Sequence, residues 1–142
     1  MTRNKNERGQ SLVELAISMT VLVFLLSGAV EFGLMFFQYI QLRDAAQEGA
    51  LYGSLNPQDT AGIEERVRGA STSPINLSDP SKVFITITGG GGCVNGTDGI
   101  TVKVSYDHVI FMPFARLFMP SPRTLTASVT DTILNSNVAC PP

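Results

Sequence analysis

The spacing of apolar residues divides the chain into a long helical part and a part with strand periodicity. From Leu12 to Tyr52 there is no proline and glycine occurs three times, and the sixteen residues from Leu15 to Val30 carry no charge. This pattern predicts one continuous helix. At 1.5 Å per residue its 41 residues would extend about 60 Å, roughly twice the thickness of a hydrocarbon core. We therefore expect the first half of the helix to span a membrane and the second half to project from it.

Two acidic residues mark the expected limits of the membrane-spanning part. Glu14 and Glu31 are 17 residues apart, or about 26 Å along a helix axis. With Glu14 at the cytoplasmic interface, Glu31 would lie near the opposite one. Aromatic residues follow directly, as in an interfacial belt: Phe32, Phe36, Phe37 and Tyr39. Three cations precede the helix and favour a cytoplasmic N-terminus: Arg3, Lys5 and Arg8. The pattern predicts a single-pass protein of the cytoplasmic (inner) membrane whose C-terminal part lies outside the cytoplasm.

The part of the chain after the long helix, residues 55–142, changes to strand periodicity. Asp59 or Thr60 can cap a short helix over roughly Ala61 to Ala70. Apolar residues then alternate with Thr, Ser and other polar residues in three runs: Val83–Thr88, Ile100–Tyr106 and Leu125–Thr132. We therefore expect an α+β fold, in which a helix of residues 10–54 projects into a small antiparallel sheet domain with one short extra helix. The sheet should cover one side of the projecting helix.

The segment between the second and third predicted strands, His108–Pro122, is too apolar for an ordinary exposed loop. It contains eight large apolar residues, from Val109 to Met119. One interpretation is that it folds back under the sheet as part of the core. The alternative is a docking patch for a neighbouring subunit or for the membrane surface.

Charge and chemistry narrow the classes of function. The formal charge is −2 and would be −4 without residues 1–9, so no basic patch remains and nucleic-acid binding is a poor interpretation. His108 is the only histidine and has no evident partner. The glycines Gly89–Gly92 lack the Gly-Lys-Ser/Thr that follows in a phosphate-binding loop. We find no catalytic set, no metal site and no cofactor site, and expect neither enzymatic activity nor a small-molecule substrate.

The two cysteines, Cys93 and Cys140, allow one internal pairing. If this part of the chain lies outside the cytoplasm, a disulfide between them is plausible. Closing the 48-residue loop could contribute about 4 kcal/mol in the chain-entropy model. The alternative is a pair of separate free thiols.

Small residues recur four positions apart along the predicted helix. Ala29 and Gly33 form one such pair, and Ala45, Gly49 and Gly53 share one face further along. This spacing lets a second helix approach closely. Alternatively, alanine is simply a good helix former and Gly53 a helix stop. Glycine in mid-helix costs about 1 kcal/mol relative to alanine, so Gly49 favours helix packing.

A short basic leader, residues 1–9, precedes the apolar segment and ends in Gly9. Glu14 follows five residues after this glycine. A removable secretory peptide is cut after its apolar core, whereas here the small residue comes before the core. Cleavage after Gly9 would therefore leave the membrane anchor on the mature protein, and a carboxylate at the edge of a membrane segment normally has a function.

These residues resemble a known family. Gly9, Gln10 and Glu14 match the type IV prepilin cleavage signal, and the run Arg8–Ala16 is similar to the start of TadE-like proteins. Further stretches resemble the same family: Arg43–Ala50 at the end of the helix, and Ile100–Tyr106 and Leu125–Thr130 in the sheet. The glycine-rich insert with Cys93, and the tail with Cys140, depart from the family pattern.

The resemblance implies a minor pseudopilin of the tight-adherence (Flp/Tad, type IVc) pilus, which supports fibre assembly, initiation or tip formation and surface attachment. It implies cleavage by a prepilin peptidase after Gly9, Gln10 as the new N-terminus, and Glu14 as the acid that pairs with a terminal amine. Other pilin or pseudopilin subunits would be partners through the N-terminal helix. The physics agrees, because cleavage creates the cation that a carboxylate in lipid requires. The alternative is an uncleaved, signal-anchored protein that binds a ligand or a surface glycan outside the cytoplasm.

Overall fold

The computed structural model describes residues 6–89, 99–112, 116 and 121–134, with side chains from residue 9 onward. The predicted α+β architecture is confirmed: a long helix is followed by a short helix and a three-stranded antiparallel sheet. The elements in chain order are α1 (Asn6–Leu55), α2 (Thr60–Gly69), β1 (Val83–Gly89), β2 (Gly99–His108) and β3 (Arg123–Thr132).

Helix α1 is continuous over 50 residues. It begins at Asn6, four residues before the predicted start at residue 10, because Gly9 weakens a helix without ending it. It ends at Leu55, where Asn56 precedes Pro57 and is therefore biased away from helical dihedrals. Among the described residues, Gly9–Leu55 is the one segment that is long and apolar enough to cross a membrane, judged by length and composition.

The two halves of α1 have different surroundings. Large apolar side chains of the first half are exposed, for example Leu12 at 68% and Leu25 at 69%. The second half contributes buried residues to the core, beginning with Leu42. The described part of the chain therefore leaves the apolar surface of the first half uncovered, as expected of a membrane-spanning segment.

Helix α2 packs on the second half of α1 through Ile63 and Val67, which are both fully buried. Asp59 caps it: Oδ1 accepts a hydrogen bond from the Gly62 N–H at 2.9 Å, and Oδ2 accepts one from the Tyr52 hydroxyl, also at 2.9 Å. These donors, the Gly62 N–H first, hold the pKa of Asp59 below its ordinary value of 3.8. The cap is therefore Asp59, and the helix begins and ends one residue before the predicted limits.

Strand β2 is the centre of the sheet, between β1 and β3. Its residues Ile100, Val102 and Val104 face the core and are fully buried. On the opposite face, hydroxyl groups pair across β2 and β3, with Thr101 Oγ1 2.8 Å from Thr130 Oγ1. The predicted division into an apolar and a Thr/Ser face is confirmed, and the apolar face covers one side of α1.

Glycines allow α1 to lie close to its neighbours. A Cβ added at Gly49 would collide with Val67 of α2, and one added at Gly53 would lie 2.7 Å from Ile100 Cδ1 of β2. Atoms of ordinary side chains do not approach this closely, so the helix, α2 and the sheet could not meet at this distance with larger residues.

The segment between α2 and β1 is attached to α1 by the amide of Gln41. Its Nε2 donates to the Ser73 carbonyl at 3.0 Å and to the Ser71 hydroxyl, and its Oε1 accepts from the Ile75 N–H at 3.2 Å. Ile75 and Leu77 then enter the core. The Gln41 side chain thereby satisfies polar groups of the segment between α2 and β1 and holds this segment where its apolar residues can enter the core.

Candidate functional site

A carboxylate on α1 is buried and fully hydrogen-bonded in this structure. Glu31 is 1% exposed. Its Oε1 lies 2.8 Å from Nε2 of His108 and accepts a hydrogen bond from the Phe111 N–H at 3.2 Å. Its Oε2 accepts one from the Met112 N–H at 3.0 Å. The carboxylate thus has one side-chain partner and two backbone donors.

This geometry corrects the prediction that His108 lacks a partner. His108 is 3% exposed and lies against Glu31, 77 residues away along the chain. Neither residue alone indicates the contact in the sequence. One signal in the sequence points to the contact. Glu31 is an isolated acid in apolar surroundings and His108 a single histidine beside an apolar segment, and either side chain would be costly to bury without a partner.

The end of β2 brings these groups together. His108 is the last residue of the strand and pairs with Arg123 in the last rung of the sheet. Because β2 packs on α1, the chain that leaves the strand runs beside Glu31 and turns the N–H groups of Phe111 and Met112 toward it. Arg116 steadies this turn, since its Nε donates to the Ile110 carbonyl at 2.8 Å.

Both interpretations of the apolar segment His108–Pro122 find support in its described residues. Ile110 is fully buried, as expected of core. Val109 and Phe111 are 58% and 75% exposed, as expected of a docking patch. Residues 113–115 and 117–120 lie outside the described part of the chain.

Burial makes these hydrogen bonds necessary. An ionised carboxylate removed from water is costly unless it is paired and hydrogen-bonded. Nε2 of His108 can donate to Oε1 of Glu31 both in a neutral tautomer and in the protonated ring. Together with the two backbone donors, it allows Glu31 to occupy a position where the neighbouring helix surface is apolar.

The predicted processing residues lie in the first turns of α1. Gly9, Gln10 and Glu14 are exposed, and nothing lies within 4 Å of a Cβ placed on Gly9. The helical spacing brings Gln10 and Glu14 together, with Gln10 Nε2 donating to Glu14 Oε1 at 3.2 Å. Gly9 and the two predicted processing residues after it are therefore accessible, although their backbone is helical in this structure.

The small residues of α1 separate into two groups. Ala45, Gly49 and Gly53 are buried, and the glycines contact α2 and β2 of the same chain. Ala29 and Gly33 are exposed, and nothing lies within 4 Å of a Cβ placed on Gly33. Packing of Ala29 and Gly33 against a neighbouring helix stays a prediction.

The remaining predicted site is the disulfide between the two cysteines. Cys93 and Cys140 both lie outside the described residues, so their disulfide stays a prediction. Within the described ranges, no group of three or more His, Cys, Asp or Glu residues could hold a metal ion.

A comparison with protein-family models decides which family the long helix resembles. Residues 9–51 match the model of the TadE-like protein family. The TadE-like resemblance of the leader and of the helix end is confirmed over this segment, which contains Gly9, Glu14, Glu31 and Gly49. The sheet segments that resemble the family, Ile100–Tyr106 and Leu125–Thr130, lie outside it.

The other comparisons add nothing to the TadE-like match. A search of curated proteins gave no match, and a search of solved structures gave none either. The TadE-like segment indicates a protein associated with the Tad pilus.

Proposed function

We propose that this chain is a minor pseudopilin-type membrane protein that supports assembly, initiation or tip formation of a tight-adherence (type IVc) pilus. The observation that carries the proposal is the TadE-like match over residues 9–51. The matched residues form a helix that has an accessible glycine and a carboxylate at one end and a folded domain at the other. The alternative, an uncleaved anchored binding protein, shares the anchor but does not require the motif.

The surface of α1 supports a membrane anchor with the domain outside the cytoplasm. Apolar side chains from Leu12 to Val30 are exposed to an environment that the described chain does not provide. The cations of the leader favour a cytoplasmic N-terminus, which gives a single pass through the inner membrane. The sheet and α2 would then lie on the far side.

Processing would give Glu14 a cationic partner. A prepilin peptidase cuts after Gly9 and leaves the α-amino group of Gln10 as the new N-terminus. Glu14 Oε1 already accepts a hydrogen bond from the Gln10 side chain, so the new amine would arise within one helical turn of the carboxylate. Entry into the protease requires the first turn to unwind, and glycine lowers that cost by about 1 kcal/mol relative to alanine.

Contact with other subunits would use the exposed part of α1. Ala29 and Gly33 lie on a surface that the domain leaves uncovered, and small residues four apart allow close helix packing in a membrane. Ala45, Gly49 and Gly53 are occupied by the protein's own core. Other pilin or pseudopilin subunits are therefore proposed to meet the first half of the helix.

The first test is the intact mass and N-terminal sequence of the full chain, isolated from membranes that contain an active prepilin peptidase. We expect the wild-type chain to start at Gln10 and the Gly9→Leu variant to start at Met1, because leucine blocks entry to the protease site. Gly28→Leu makes the same exchange within the span and should be processed normally.

Two results would contradict the proposal: normal trimming of Gly9→Leu, or a wild-type chain that still starts at Met1. The second result would favour the uncleaved anchored binding protein. Among processed variants, we expect Glu14→Ala to insert into the membrane but fail to restore pilus formation in cells lacking this chain. Glu48→Ala, which removes another exposed acid of the same helix, serves as its control and should restore it.

A further inference from the structure

The turn that follows β2 consists of residues 109–112. From His108 to Phe111, buried and exposed side chains alternate. His108 and Ile110 face the helix and are buried, so Val109 and Phe111 face outward. Phe111, at 75%, is the most exposed large apolar residue in the described part of the chain. Exposed apolar side chains mark an interaction site when several of them occur together, so the surroundings of Val109 and Phe111 decide what they do.

Hydrogen bonds fix the height of this turn along α1. The N–H groups of Phe111 and Met112 both donate to Glu31, which lies about 26 Å from Glu14 along the helix axis. The turn therefore lies where a helix that enters a hydrocarbon core near Glu14 would leave it. The hydroxyl oxygen of Ser27, about one turn closer to the N-terminus, is also buried.

The adjacent helix surface is apolar at the same height. Phe32 and Phe36 are 70% and 56% exposed and stack with ring centroids 6.3 Å apart. The one carboxylate of this stretch, Glu31, is withdrawn from the surface by the turn itself. The turn and the helix thus each present exposed apolar side chains at the level of Glu31, as in an aromatic interfacial belt.

Two cations border the same end of the domain. Arg116 is exposed and is held to the turn through its Nε bond to the Ile110 carbonyl. Arg123 is exposed and lies in the last rung of the sheet, opposite His108. The nearby Asp107 accepts a hydrogen bond from the Thr124 hydroxyl at 2.7 Å. Guanidinium groups at the end of a domain that faces a membrane suit the phosphate layer of a bilayer.

We propose that Val109 and Phe111 insert into the lipid interface of the membrane that α1 spans, so that the domain rests on the bilayer surface around its own anchor. The occupant of the patch is lipid, because the hydrogen bonds to Glu31 join the turn to the end of the membrane-spanning segment. This inference rests on the membrane-spanning role proposed for α1, and it does not depend on cleavage or on pilus assembly.

The chain contains no tryptophan, so single tryptophans can report contact with lipid. Phe111→Trp places the probe in the turn. Leu134→Trp is the matched control, because Leu134 is 68% exposed and its N–H bonds to the Ser54 carbonyl at the far end of α1, about 35 Å from Glu31 along the axis. Leu22→Trp lies within the proposed span and tests the span itself.

Each full-length variant is reconstituted in phosphatidylethanolamine–phosphatidylglycerol vesicles, at high lipid-to-protein ratio, with and without brominated acyl chains. We expect bromolipid to quench the Phe111→Trp variant several times more strongly than Leu134→Trp, with a blue-shifted emission. Strong quenching of Leu22→Trp together with equal, weak quenching of the other two would overturn lipid docking while leaving the span intact. A blue shift of Phe111→Trp that grows with protein density and shows no bromolipid quenching would assign the patch to a second copy and overturn the proposal. Weak quenching of Leu22→Trp would instead refute the membrane-spanning role.

Discussion

The carboxylate of Glu31 joins parts of the chain that are 77 residues apart. A carboxylate has acceptors only, and in this site it faces donors only: His108 Nε2 and the N–H groups of Phe111 and Met112. An amide of the same shape has an NH2 group in place of one oxygen. In either orientation, that NH2 would face one of the two backbone N–H groups.

We therefore expect Glu31→Gln to loosen the turn after β2. An unsatisfied buried donor costs about 1–3 kcal/mol, which should lower the free energy of unfolding and speed amide hydrogen exchange at Phe111 and Met112 in lipid nanodiscs. Glu48→Gln is the control, because Glu48 is an exposed acid on the same helix. Equal exchange rates in both variants would show that the hydrogen bonds to Glu31 do not hold the turn.

The contact between Glu31 and His108 could not be read from the sequence. Periodicity locates a residue on an element, but which face of α1 meets the end of β2 depends on the tertiary packing of both. The distance of Glu31 from Glu14 predicts that Glu31 lies near the end of the membrane span, and this position stays a prediction. Its burial depends on the residues that directly follow β2, which the packing of the strand on α1 brings to the carboxylate.

At the scale of elements, the same kind of residue has two different roles on α1. Gly33 has open space around it, whereas a side chain at Gly49 would collide with Val67. The i, i+4 spacing is identical in the two groups, so the sequence alone could not separate a contact within the chain from a contact between chains. The strands and α2 were more predictable, because alternation and the cap at Asp59 are local signals.

The two glycines predict opposite effects of the same substitution. Gly49→Ala should lower the free energy of unfolding by about 1–3 kcal/mol, since α2 must shift to admit the methyl group. Gly33→Ala should leave stability unchanged or raise it by up to about 1 kcal/mol through helix propensity. Chemical denaturation in detergent, followed by circular dichroism, compares them. A Gly49→Ala variant as stable as Gly33→Ala would contradict the packing described for the core.

The cap of α2 predicts a dependence of stability on pH. Hydrogen bonds from the Gly62 N–H and the Tyr52 hydroxyl lower the pKa of Asp59 in the folded state, so the unfolded chain binds its proton first as pH falls. The contribution of Asp59 is therefore fully present above the ordinary pKa of 3.8 and is lost as pH falls through the lower folded-state pKa.

The variant Asp59→Asn isolates the pH-dependent contribution of Asp59 to stability, because asparagine also caps helices but does not titrate in this pH range. We expect the wild-type midpoint of thermal unfolding to fall more than that of Asp59→Asn between neutral and strongly acidic pH. Parallel pH profiles for the two proteins would assign the acid sensitivity to other carboxyl groups.

At the scale of the whole molecule, the division into an apolar helix and a small sheet domain follows from the hydrophobic pattern alone. The start of α1 was predicted four residues too late, since a single glycine does not end a helix whose neighbours continue it. The sequence predicts that the sheet covers one side of α1. It does not predict that α2 packs there too, or how closely the helix approaches its neighbours at Gly49 and Gly53.

Because α1 is continuous from Asn6 to Leu55, one unbroken helix connects the proposed membrane anchor to the domain. Each residue of a helix turns the chain by about 100° and advances it by about 1.5 Å. The number of residues between Gly33 and Gly49 therefore fixes the rotation of the domain about the helix axis. This rotation is measured relative to any partner that contacts the exposed surface around Gly33. One inserted residue in that interval would swing the sheet about a quarter turn around the helix axis while leaving both ends chemically unchanged.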